Sequence, residues 1–338
     1  MKRFLVIGII LCSIILILPT LLVLSFSNDT ATEGPRAVHT TTDPQQMTPA
    51  DDSGISVPVY RTQNEEVERV SLDDYVIGVV ASEMPAEFEI EALKAQALAA
   101  RTYIIKYMLD PGDINVPEGA IVTDTVDHQV YKNHQELQQL WGHDYDWKIA
   151  RIQQAVYATQ GEILTYNGEP ITAAFFSTSN GYTENSEDYW PNSFPYLRSV
   201  ESPWDHASPR FISETKIPVS EVEQRLSVTL PEGGVGEITE RTDGGRVAKV
   251  NINGTEFNGR EVREGLELDS SDFEWRREGD QVVIETKGWG HGVGMSQYGA
   301  NGMAQDGRTY QEIVSHYYQG IAINEVEEYS SSLTAKAD

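Results

Sequence analysis

Residues 71–85 impose one arrangement on any fold that contains them: a helix whose apolar stripe ends in a carboxylate. Ser71-Leu72-Asp73-Asp74 has the Ser-x-x-Asp form of a helix start, and Tyr75, Val76, Val79 and Val80 follow as an apolar stripe. Glu83 comes seven residues after Val76 and four after Val79, so it falls on that stripe in the last turn. Met84-Pro85 then stops the helix. Burial of this face and the negative end of the helix dipole both disfavour the ionised carboxylate. A carboxylic acid kept protonated near neutral pH is what a general acid for glycosidic bond cleavage requires. An amphipathic helix ending in a solvated glutamate has the same pattern, and the helix alone does not separate the two.

The rest of the chain divides by composition. Residues 4–26 form an apolar run long enough to cross a bilayer as a helix. Lys2 and Arg3 precede it and no basic residue follows until Arg36, which keeps the N-terminus cytoplasmic. The run exceeds a signal-peptide core, and no Ala-x-Ala site closes it. Residues 1–27 are therefore expected to be an uncleaved membrane anchor, with everything after them outside the cytoplasm. Residues 28–56, rich in Thr, Asp, Pro, Ala and Ser, read as a flexible linker. A folded domain is expected over 57–322, followed by an acidic, then Ser-rich, disordered tail at 323–338.

Inside that domain, strands at 55–60 and 67–70 feed the Glu83 helix, and a second helix over 90–108 ends at Pro111-Gly112. Two helices broken near Gly142 fill 135–158. Segments 162–166 and 171–176 flank Asn167-Gly168 as a hairpin with a type I′ turn. Residues 212–285 alternate short β-type runs with Gly-rich turns, the pattern of a β-rich subdomain. Helix signals return at Ser296, and Thr309-x-x-Glu312 caps a last helix ending at Gly320. The expected class is α+β: a helical core with β-hairpins and a β-rich subdomain, preceded by one N-terminal transmembrane helix.

Composition excludes several chemistries. The net charge of −27 argues against nucleic acid as partner, because phosphate binding needs a basic face. Cys12 is the only cysteine and lies in the first apolar run, so no disulfide within the chain and no thiolate catalysis after it are possible. A metal site would need the seven His and the carboxylates, and no paired-His helix motif is present. His128 and His134 are six apart, a spacing that does not put both on one helical face. No metal and no cofactor are expected.

Four other features could carry binding. Lys94 and Arg101 lie seven apart on the second helix and share a face, either to hold a carboxylate or to pair with Glu87 and Glu91. Ser177-Thr178-Ser179-Asn180-Gly181 follows a strand with small hydrogen-bonding side chains, either a grip for sugar hydroxyls or an ordinary polar turn. Segment 288–300 sets five glycines around His291 and ends at a helix start, yet it lacks the Lys-Ser/Thr of a phosphate loop. A lone His is more often a structural hydrogen-bonder, so His291 is read as positioning substrate or loop. Trp190, Tyr196, Trp204 and Trp289 are candidates for stacking on sugar rings or for the core.

Taken in order, Ala81-Ser82-Glu83-Met84-Pro85, Glu91-Ala92-Leu93-Lys94-Ala95-Gln96-Ala97, Ala99-Ala100-Arg101-Thr102-Tyr103, the Ser177–Gly181 loop and the Gly288-Trp289-Gly290-His291-Gly292-Val293-Gly294-Met295-Ser296-Gln297-Tyr298-Gly299-Ala300 run resemble the stage II sporulation protein D family. The resemblance spans about 57–322. It implies a membrane-anchored lytic transglycosylase that cuts peptidoglycan glycan strands, stripped of stem peptides, during engulfment of the forespore. Its acid would be Glu83, and Lys94, Arg101, Ser177, Ser179, Asn180, Gly181, Tyr196, His291 and Gln297 would bind substrate. Other implied partners are the sporulation cell-wall amidase and engulfment membrane proteins. The location implied is the mother cell's engulfing membrane. Some members carry a Cys/His metal site, but the cysteines are missing here and the site is not carried over. A hydrolase would need a second carboxylate, for which Asp73, Asp74, Glu87 and Glu184 are available; a non-catalytic scaffold that recruits an amidase is the other alternative.

Overall fold

The computed structural model describes residues 54–111 and 116–329, together with residue 333. The strand Ser56–Arg61 pairs antiparallel with Glu66–Ser71 and parallel with Val122–Thr123. Helix α1 (Leu72–Glu83) starts where the Ser71 side chain accepts the Asp74 N–H, and its stripe of Tyr75, Val76, Val79 and Val80 is buried. Helix α2 (Ile90–Leu109) is buried on nearly every side, including Leu93, Ala95, Ala97, Leu98, Ala99 and Ala100. A helix buried all round belongs at the centre of a core. Its alanines let neighbours approach closely, and it packs against α1 and the strand Glu162–Tyr166.

Helices α3 (His134–Trp141) and α4 (Tyr145–Ala158) are separated by a 3₁₀ turn at Gly142–Asp144, with Gly142 at φ 53°. Asn167 and Gly168 both have positive φ, as a type I′ turn requires. The hairpin they close is shorter than the sequence suggests: Glu162–Tyr166 pairs with Glu169–Pro170, and the chain then leaves. Phe175–Phe176 instead pairs parallel with Met295–Ser296, which brings the 288–300 segment onto the same surface.

Residues 212–287 hold two three-stranded sheets and the helices α5 (Val219–Leu226) and α6 (Gly259–Leu266). They share a second hydrophobic core of Val222, Val250, Ile252, Val262, Phe273 and Ile284. Helices α7 (Gln297–Gln305) and α8 (Tyr310–Tyr317) return to the first core, each capped as its sequence indicates, by Ser296 and by a Thr309–Glu312 capping box. Helix α2 packs against α4, α7 and α8.

Two further expectations change. The fold class is α+β, but among the described residues no helix is long and apolar enough to cross a membrane. The longest, α2, has 20 residues and carries Glu91, Lys94, Arg101 and Lys106. The fold class is corrected accordingly; the helix expected over 4–26 lies outside the described residues, as does most of the linker. The chain end also departs from a plain tail, because Ala322–Glu325 is a strand paired with Glu162–Tyr166, with Ile323 opposite Leu164.

Arg101 is wholly buried. Its Nη1 donates to Thr159 O (2.7 Å) and Glu162 O (3.1 Å), and its Nη2 to Val156 O (3.1 Å), closing the carbonyl end of α4. Arg101→Ala leaves these carbonyls unpaired around a void, and we expect it to destabilise the fold by about 3 kcal/mol or more. Urea unfolding followed by circular dichroism checks this; an unfolding midpoint equal to the parent's would contradict it.

Candidate active site

Glu83 ends α1 on the wall of a cleft of about 1140 Å³. Its position there depends on Gly78, one turn earlier. A Cβ at Gly78 would lie 2.4 Å from both Lys132 O and the Tyr131 ring, so only glycine lets this segment lie against the helix. That approach brings the Val130 N–H to Glu83 Oε1 (3.2 Å). Oε2 has no hydrogen-bond partner among the described residues. Burial raises the Glu83 carboxyl above its ordinary range; the Val130 N–H and the charge of Lys132 pull the other way without cancelling it.

The opposite side of the cleft comes from sequence far downstream. Ser177, Trp190, Trp289, His291, Gln297 and Tyr298 all line it. The His291 ring sits among Phe176, Tyr189 and Trp190 at 5.5–5.6 Å between centroids, and its Nδ1 accepts the Val293 N–H at 3.1 Å. Burial, with Arg263 and Arg246 nearby, pushes its pKa down to about 3, so the ring is neutral at neutral pH. Gln297 is buried, with its Nε2 3.4 Å from Gln96 Oε1.

Seven of the sequence-derived binding candidates do not line the cleft. Arg101 is committed to α4, as above. Lys94 pairs with Glu91 (2.7 Å) and lies over the Tyr310 ring. Sharing a helical face put these two cations side by side in sequence terms, but that face meets protein. Ser179 is fully buried, and Asn180 Nδ2 donates to Gly244 O (2.9 Å) and Asp272 Oδ2 (2.8 Å), tying its loop to residues 244–272. Gly181 takes φ 110° in the turn that follows. Tyr196 is buried, and its hydroxyl accepts the Thr172 N–H at 2.9 Å. Trp204 donates to Asp306 (2.7 Å) outside the cleft.

The sequence reading missed Asp205. It is buried, and it accepts from Ser179 N (2.8 Å), Ser179 Oγ (2.8 Å), Ser202 Oγ (2.5 Å) and Ser296 Oγ (2.5 Å). Burial raises its carboxyl, against the pull of these bonds. The signal available was an acid flanked by Trp204 and His206 in an otherwise unremarked turn, too weak to select it.

The other candidate acids divide as follows. Glu184 is buried against Arg246 (3.1 Å) and does not line the cleft. Asp73 accepts from Gln160 at 2.6 Å, and Asp74 sits in the first turn of α1. Glu87 lines the cleft, exposed and paired with Lys148 at 3.0 Å, and the exposed Asp127 lines it too. His128 Nδ1 lies 2.9 Å from Thr123 Oγ1, and His134 Nδ1 lies 2.8 Å from the Tyr145 hydroxyl. Among the described residues no group of three or more His, Cys, Asp or Glu is placed to hold a metal ion.

Comparison with known proteins gives a consistent set of relatives. Residues 60–166 match the family profile described as SpoIID, Stage II sporulation protein. The chain is 49% identical to Stage II sporulation protein D of Bacillus subtilis (strain 168) over 99% of its own length and 100% of the relative's. It is 50% identical to the protein of that name from Bacillus amyloliquefaciens, over 96% of this chain and 97% of the other. A more distant similarity, 28% identity over 73% of this chain and 40% of the relative, is to the Amidase enhancer of Bacillus subtilis (strain 168).

The raised pKa of Glu83 has a consequence for stability. The folded state holds this proton more tightly than the unfolded chain, so stability falls as pH rises from the unfolded carboxyl pKa through the folded one. Glu83→Gln keeps the acceptor for Val130 and removes the charge. We expect its urea midpoint to exceed the parent's at about pH 7.5 and to match it at about pH 3.5, below the ordinary Glu value. Identical midpoints at both would show that the carboxyl is not desolvated.

Proposed function

This chain belongs to the stage II sporulation protein D family, and from that footing we propose that it is a lytic transglycosylase acting on peptidoglycan glycan strands during engulfment. Glu83 carries the reading: a carboxyl raised by burial on the wall of a cleft of about 1140 Å³, one oxygen held by Val130 and the other free to carry a proton.

The chemistry uses that one group twice. Protonated Glu83 donates to the glycosidic oxygen as the bond from N-acetylmuramic acid to N-acetylglucosamine breaks. The resulting carboxylate then takes the proton of the muramic C6 hydroxyl, whose oxygen closes on C1. The products are a 1,6-anhydromuramic end and a free N-acetylglucosamine C4 hydroxyl, with no water consumed. A hydrolase would need a second carboxylate at a defined separation. Glu87 and Asp127 are the other carboxylates on the cleft; both are exposed, and Glu87 is held by Lys148, which favours the single-carboxylate route.

Such an enzyme acts outside the cytoplasm, on the wall that the mother cell clears as it surrounds the forespore. The relative named Amidase enhancer supports a partnership with a cell-wall amidase that strips stem peptides first. The same relative also favours a second reading, in which the chain is a glycan-binding scaffold that stimulates the amidase without cutting.

Digestion of amidase-treated peptidoglycan, with mass analysis of the chain ends, tests this. Anhydromuramic ends are expected, and reducing ends would indicate a hydrolase. Glu83→Gln should lower cleavage by at least about a hundredfold while preserving glycan binding. If the parent protein cuts nothing, and Glu83→Gln stimulates the amidase as well as the parent does, the scaffold reading stands instead.

A further inference from the structure

The expected carboxylate grip of Lys94 and Arg101 turns inward, which leaves open what on the cleft meets an anionic group of the substrate. Three cations line the cleft: Lys148, Arg210 and Arg260. Lys148 is held by Glu87 at 3.0 Å, and Arg260 by Glu264 at 2.7 Å. Arg210 has no carboxylate partner among the described residues, in a chain with 52 acidic and 25 basic side chains. Its guanidinium lies over the Trp289 ring, 4.3 Å from the centroid. Stacking of that kind fixes the guanidinium plane and leaves its N–H edges open to fork a carboxylate.

The mount is rigid. Trp289 exchanges two backbone hydrogen bonds with Thr178, at 2.7 and 3.1 Å. Gly288 N–H reaches Phe211 O at 2.8 Å, next to Arg210 in the chain. Ser208 Oγ lies 2.9 Å from Thr178 Oγ1 and accepts the Arg210 N–H at 3.1 Å. Three separate segments thus hold one exposed cation and one 37% exposed indole on the same cleft as Glu83.

We infer that Arg210, mounted on Trp289, reads the free lactyl carboxylate of N-acetylmuramic acid, a contact that favours strands without stem peptides. The inference rests on the glycan reading above. An attached stem peptide turns that carboxylate into an amide, which removes the charge a guanidinium forks and adds bulk at the same place. An N-acetylglucosamine oligomer has no lactyl group and makes no such contact.

Binding to the full chain carrying Glu83→Gln, which does not consume the strands, tests the assignment with two probes: peptide-free glycan strands and a chitin oligomer of equal length. Adding Arg210→Ala should weaken binding of the peptide-free strands by about tenfold. The chitin oligomer should change by no more than about twofold, as for an exposed substitution away from its contacts. Arg210→Lys should recover part of the loss, since it keeps the charge and gives up the fork. An unchanged preference in Arg210→Ala would overturn the inference and leave the cleavage reading intact. Equal weakening towards both probes would overturn it as well, by showing a structural role. If the parent bound neither probe, the glycan reading would fall together with it.

Discussion

Asp205 is a buried carboxylate that receives four hydrogen bonds from three separate segments of the chain. Ser179 belongs to the polar loop after Phe175–Phe176, Ser202 precedes a 3₁₀ turn, and Ser296 is the N-cap of α7. The Tyr317 hydroxyl of α8 extends the network to Ser202 at 2.7 Å. A buried carboxylate is tolerable only when its lone pairs are satisfied, so these segments cannot separate without exposing an unpaired charge or pulling it into water. The Ser296 hydroxyl also lies 3.4 Å from Ser177 O, so this junction adjoins the cleft-lining Ser177.

Three buried or half-buried carboxyls in this fold meet different fates, and the contrast explains the chemistry. Asp205 has four donors. Glu184 has Arg246 at 3.1 Å and Thr242 Oγ1 at 3.0 Å, and a Cβ at Gly292 would sit 2.4 Å from the Arg246 Cζ, so the glycine-rich loop wraps that cation closely. Glu83 has only one backbone N–H. Burial raises all three, but only Glu83 lines the large cleft; Glu184 borders a separate, smaller cavity with its Oε1 held by Arg246 and Thr242.

The cleft itself is a long-range construction. Its near wall is the end of α1 and the segment around Val130; its far wall comes from 172–177 and 289–298. Helix α2 stands between the layers, packing on both α1 and α7, and its alanines set how closely they approach. The spacing between acid and binding wall is thereby fixed by the first core, while Asn180 and Arg246 connect that wall to the 212–287 sheets.

What the sequence determined by itself was a set of features each encoded within a few residues. The Ser71 cap, the stripe ending at Glu83, the Asn167-Gly168 turn, the break at Gly142 and the Thr309–Glu312 box all appear where the local pattern puts them, because capping and periodicity are satisfied by neighbours in the chain. The segment that lies against Gly78 is set by tertiary packing and has no local signal. Lys94 and Arg101 were legible as cations on one face. Only the tertiary structure decided that this face meets the carbonyl end of α4 and the Glu91–Tyr310 contact, and that Arg210 and Trp289, 79 residues apart, meet at the cleft. The role of a charged side chain depends on which partner or solvent its head group meets, and that is set by packing between segments that no local pattern specifies.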